Sequence, residues 1–130
     1  MPAIDGFIFA WNKNKDYGAK LVADLAEDQM VLQPAPADKA AANHPAWVLS
    51  HLNVYLPIIQ SIISGESFED PKDHQFGMLS KPSNDRSEYR PKDELVQEFV
   101  SRHETIADLL QQAGDAALDN AIELPRWKAI

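Results

Sequence analysis

The chain has 130 residues, 45% hydrophobic and 25% charged, enough for one domain with a buried core. Its net charge of -8 speaks against nucleic-acid backbones and anionic membranes as partners, because both need a basic surface. Without cysteine there are no disulfides, thiolate metal sites or cysteine nucleophiles, which fits a reducing, cytoplasmic setting.

No charged n-region followed by an apolar h-region opens the chain, and no uninterrupted apolar run approaches ~20 residues, so neither export nor membrane spanning is indicated. From about Ile4 to Ala26, Ile4, Ile8, Trp11, Lys15, Gly18, Val22 and Leu25 recur at steps of four and three. That is a helix period with one core-facing stripe, flanked by Phe7 and Leu21. Lys15 interrupts the stripe and its stem can snorkel. Gly18 either admits another backbone or weakens the helix by roughly 1 kcal/mol.

Residues 28–42, with Pro34, Pro36 and a run of alanines, read as a connection holding at most a short helical turn. Asn43 then reads as the N-cap of a second helix and Pro45 as a first-turn residue. This helix runs to about Ser64 and stops at Gly65. Val48, Leu52, Tyr55, Ile59 and Ile62 form its expected stripe, widened by Leu49, Leu56 and Ile63. Pro57 in its middle predicts a kink.

Residues 66–90 show no period, and Phe68, Phe76, Met78, Leu79 and Tyr89 favour a loop packed on the bundle over disorder. A third helix is expected from Pro91 at N1 to about Gly114, with the stripe Val96, Phe99, His103, Ile106, Leu110 and Ala113. Asp115 to Asn120 reads as a turn or short helix, and no further helical period follows Pro125. Three long amphipathic helices make the fold all-α, a single helix-bundle domain over 1–130.

The chemistry concentrates on His51, which borders the core face of the second helix. It is either a structural histidine bonded to a neighbour or a metal ligand projecting into the bundle. Zinc needs at least three protein ligands, so spacing alone does not make a site. His103, on the seam of the third helix, is a candidate second ligand, with a rim histidine as the alternative. His44 lies about 10 Å of helical rise from His51, too far to share an ion, and reads as a first-turn residue. His74 reads as an exposed loop residue. Trp47 and Tyr55, one turn either side of His51, are the candidate pocket wall, with core packing as the alternative for Trp47. No phosphate loop, H-E-x-x-H or EF-hand loop is present.

The segment Asn43-His44-Pro45-Ala46-Trp47-Val48-Leu49-Ser50-His51-Leu52 resembles the second helix of the DinB-like superfamily of bacterial four-helix bundles. The helix from Phe7 to Leu25, Gln33-Pro34, Phe76-Gly77 and Tyr89-Arg90-Pro91-Lys92-Asp93-Glu94-Leu95 look like family elements in the right order, and Leu124-Pro125-Arg126-Trp127-Lys128-Ala129-Ile130 looks like the approach to the last family helix. The resemblance implies an up-down-down-up bundle with three long helices present and the fourth truncated or absent. It implies a divalent metal, zinc or nickel, held by three histidines, of which His51 matches the one on the second helix. The other two lie in the family on the last helix, and this chain has no counterpart for them. Some relatives are thiol-dependent transferases, and an isomerase belongs to the wider group. The expectation is therefore a metal-dependent transferase or hydrolase scaffold with an incomplete metal site, acting on a small-molecule or thiol substrate. The alternative is a non-catalytic binding protein or dimeric scaffold in which His51 is structural. An apolar groove left by three helices would be filled by a second chain, so a homodimer is expected.

Overall fold

The computed structural model describes residues 2–33 and 43–119. The expectations for residues 34–42 and for Leu124 to Ile130 lie outside these. Among the described residues there are three long helices and no strand: α1 (Ala3–Val22), α2 (Pro45–Ser64) and α3 (Lys92–Ala113). Short 3-10 turns occupy Glu27–Val31, Arg86–Glu88 and Gly114–Asp119.

α1 ends four residues before the expected Ala26, and the chain turns into Glu27–Val31, which buries Met30 completely. Pro2 offers α1 no side-chain cap. Asp115, just beyond α3, supplies one instead: its Oδ1 accepts from Ile4 N at 2.9 Å. A carboxylate there also meets the positive end of the helix dipole. At the opposite end, Lys92 Nζ donates to the Ala23 and Leu25 carbonyls at 3.0 and 2.7 Å. α1 and α3 are therefore antiparallel.

The N-cap of α2 is His44, not the expected Asn43. His44 Nδ1 accepts from Trp47 N at 3.1 Å, doing what an Asn carbonyl does elsewhere. Pro45 follows in the first turn, and Gly65 closes the helix at φ 72°, a left-handed geometry that suits glycine. The helix is continuous through Pro57. α3 likewise begins one residue later than expected, with Pro91 as N-cap and Lys92 first in the helix. The Lys92 amide donates to Glu27 Oε1 at 2.9 Å, so the missing cap comes from the turn after α1.

The starts of α2 and α3 lie side by side, with the His44 and Tyr89 rings edge to face at 5.2 Å. The two helices thus run parallel, which matches the expected up-down-down order. A parallel pair needs a return connection as long as the helix itself. Residues 66–90 provide it, as a strap running back along α2: Met78 N donates to Tyr55 Oη, Trp47 Nε1 to Ser80 Oγ and His44 Nε2 to the Ser83 carbonyl. Of the residues expected to pack this stretch down, Tyr89 is buried and Phe76 lies against the core, whereas Met78 and Leu79 stay exposed.

α1 and α2 both pack on α3. The core holds Leu49 and Leu56 of α2, Leu95, Phe99, Ile106 and Leu110 of α3, and Ile4 and Val22 of α1. Gly18 faces Phe99 so closely that a Cβ would lie 2.8 Å from the ring. What it admits is a side chain, not a backbone. The buried line of α2 is Ala46, Leu49, Ser50, Asn53 and Leu56, rotated from the expected stripe, while Val48 and Leu52 are 36% and 38% exposed. By length and composition α2 could cross a membrane, with a mean hydropathy of 1.3, but here it is a core helix bearing three buried polar residues, Ser50, Asn53 and the capping His44.

Candidate functional site

Two flanks of α2 carry the residues singled out by sequence. On the strap flank, successive turns of one helix face bring Trp47, His51 and Tyr55 into a stack. The Trp47 and His51 rings lie 4.5 Å apart and nearly parallel, and the Tyr55 ring follows at 4.8 Å. His51 Nδ1 donates to the Phe76 carbonyl at 2.8 Å. In the neutral ring this leaves the lone pair on Nε2. The strap is held in register by Gly77: a Cβ there would collide with the Pro71 carbonyl oxygen. The Gly77 carbonyl in turn accepts from Ser80 Oγ at 2.7 Å, which turns the hydroxyl toward Trp47.

On the other flank, α1 and α2 stand apart over α3 and enclose a groove of about 530 Å³. Its walls are apolar, including Val48, Leu52 and Leu56 of α2 and Leu21 of α1, and its floor is Phe99 and His103. His103 is 6% exposed and lies against Trp11 at 4.5 Å and Phe99 at 4.3 Å. Its Nδ1 donates to the Phe99 carbonyl at 2.7 Å, and Trp11 Nε1 donates to the His103 carbonyl at 2.9 Å. Burial pushes the His103 pKa below 6.5; the bond to Phe99 opposes this, and the charge of Lys15 adds to it. Lys15 keeps its head near Glu104 and Asp16 at 3.8 and 3.7 Å, as a snorkelling stem would.

The structure thus brings Trp47 and Tyr55 to His51, but under the strap and not in the groove. His103 lines the groove and His51 does not. His44 is wholly buried as a cap, with Nε2 donating to the Ser83 carbonyl at 2.6 Å. His74 is exposed on the strap, where Nδ1 accepts from Phe76 N at 3.0 Å. Among the described residues no three His, Cys, Asp or Glu side chains converge as a ligand set. His51 has one nitrogen fixed by a carbonyl, as metal-binding histidines often do, but its neighbours among the described residues are aromatic rings and that carbonyl. These residues do not fit a three-ligand metal centre.

Sequence reasoning missed the strap's contribution, which comes from backbone carbonyls that no side-chain pattern encodes. It also missed the anchor formed by Arg86 and Glu27. Arg86 pairs with the Glu27 carboxylate and donates to the Tyr89 and Arg90 carbonyls at 3.1 and 2.9 Å. The Arg86 guanidinium, with help from the Lys92 amide, holds the Glu27 carboxyl below its usual 4.5. Ser50 and Asn53, polar residues inside an apolar helix, were the available signal for a second buried feature.

No curated protein and no solved structure matches the chain. The model of the DinB superfamily matches residues 11–129, and with the all-helical fold described above the chain belongs to that superfamily.

Proposed function

We propose that the chain is a binding or scaffold member of the superfamily, one whose groove between α1 and α2 receives a second copy of the chain. The bundle is the one on which relatives are expected to run metal-dependent thiol transfer or hydrolysis, and among the described residues no second or third ligand joins His51. The groove carries this reading. Four of the nine large apolar side chains exposed among the described residues, Tyr17 (64% exposed), Leu21 (60%), Leu52 and Val48, line it. A contiguous apolar patch of this kind marks an interface. A two-fold dimer would cover the same patch on both copies. His51 then has a structural role, tying the strap to α2. Light scattering of the purified chain tests the reading: the wild type runs as a dimer and Leu52→Glu as a folded monomer. A wild type that stays monomeric at high concentration overturns it.

One observation favours a second reading, a metal-dependent enzyme using His51. Its Nδ1 is committed to the Phe76 carbonyl, and Nε2, the nitrogen that would bind a metal, has no hydrogen-bond partner among the described residues. Elemental analysis of protein purified without chelator separates the two. Stoichiometric zinc or nickel that disappears in His51→Ala would put the enzyme reading in place of the first.

A further inference from the structure

On the side of α2 away from the groove, Ser50 and Asn53 stand one turn apart at the seam with α3. Both are more than nine-tenths buried, at 5% and 7% exposed. Asn53 Nδ2 donates to the Leu95 carbonyl at 3.1 Å. Its Oδ1 has no partner among the described residues, and neither does Ser50 Oγ. Leaving such atoms bare is costly, so native proteins seldom do it without a water or other guest.

Both residues line a niche of about 220 Å³, closed by Leu95 and Glu98 of α3 and by Phe76 of the strap. That is several times the ~30 Å³ share of one water. The charged groups at its edge are already matched. Glu98 lies 3.3 Å from Arg90 and 3.7 Å from Arg102, and Arg90 also meets Glu94 at 3.4 Å. His74, also in the wall, has Nδ1 committed to the Phe76 amide. An anion would face Glu98 and the Asn53 oxygen; a cation would face Arg90. A neutral guest avoids both. The Asn53 Oδ1 requires a donor, the Ser50 hydroxyl can donate to an acceptor, and Val54, Phe76 and Leu95 suit a short apolar tail.

We propose that this niche is a binding site for a small neutral molecule with a primary amide head and a short alkyl tail. The amide N–H donates to Asn53 Oδ1 and its carbonyl accepts from Ser50 Oγ. The Ser50 and Asn53 side chains leave α2 about 5–6 Å apart, which two separate atoms of an amide bridge better than one hydroxyl oxygen.

Titration of the isotope-labelled full chain with butyramide, followed by NMR, tests the proposal. Saturable shifts are expected at the Asn53 side-chain amide and the Phe76 backbone amide, with butyrate and butylammonium binding much more weakly. Ser50→Ala removes one hydrogen bond and weakens butyramide by roughly fivefold. It also deletes an unpartnered hydroxyl and so leaves folding intact. Val54→Phe, which fills the niche from its wall, abolishes the shifts. Absence of saturable shifts in the wild type, as for a niche holding only ordered water, overturns the proposal. So does equal response to all three probes, or unchanged affinity in Ser50→Ala.

Discussion

The two flanks of α2 carry different side chains, aromatic ones with polar atoms under the strap and aliphatic ones along the groove, and bury them to different extents. Under the strap, Trp47 is 8% exposed and hydrogen-bonded, with His51 stacked on it and the Tyr55 ring tilted against His51 beyond. Along the groove, Val48 and Leu52 are more than a third exposed. The difference arises from topology. Because α2 and α3 run parallel, the chain must return along α2, and that return covers one flank; nothing among the described residues covers the other. Apolar residues on one helix are thus stability determinants on one side and recognition surface on the other.

The largest expected effect tests this directly. Trp47→Ala removes a buried ring and should cost about 3–5 kcal/mol. Leu52→Ala, on the exposed flank, should cost under ~1 kcal/mol in the monomer. Urea unfolding at a dilution that favours monomer measures both, and equal losses would break the distinction. Next comes His44→Ala, which strips the α2 cap and leaves the Trp47 amide and Ser83 carbonyl unpaired in a buried place. About 2–3 kcal/mol is expected by the same measurement. His44→Asn should recover the capping part only, because the shorter side chain does not reach Ser83.

The smallest effects are in pH. The folded state holds His103 below its unfolded value near 6.5, so between the two values the unfolded chain binds more protons. Its contribution is complete above pH 6.5 and declines as pH falls through that value toward the lowered one. Glu27, held below 4.5 by Arg86, contributes fully above 4.5 and loses its contribution as pH falls through its folded value. Acid should therefore loosen the groove floor before the strap anchor. Unfolding midpoints between pH 7.5 and 5 should fall in the wild type and flatten in His103→Gln; a decline of the same size in that variant would assign the effect elsewhere.

The helices were legible because their apolar periods are long: in α3 Phe99, His103, Ile106 and Leu110 are buried as expected, whereas Val96 is half-buried, Ala113 is exposed and Leu95 takes a core place outside the expected stripe. The stripe of α2 was misplaced because periodicity scores Ser50 and Asn53 as solvent-facing, whereas α3 and the strap bury them. The cap was misassigned between two adjacent residues because an imidazole can accept an amide as an asparagine does. Trp47 and Tyr55 do neighbour His51, as their spacing of one helical turn implied. What surrounds it was not legible, since its partner is the main chain of Phe76, twenty-five positions away.

The strap also sets how far this chain can be shortened. α2 is 20 residues, about 30 Å long, and an extended chain covers at most ~3.6 Å per residue, so roughly nine residues would suffice to join α2 to α3. Residues 66–90 are far more than that, and the surplus is folded into the turns around Pro71 and Gly77 that present the Phe76 and Gly77 carbonyls. A deletion confined to residues 66–70 removes half-buried Phe68 and the Asp70 carboxylate that accepts from Lys72 N, but spares the residues that present these carbonyls. One that removes 74–80 spans the distance equally well but exposes Trp47, His51 and Tyr55 to water. For this chain, the centre of the connector is where shortening costs the most contacts with α2.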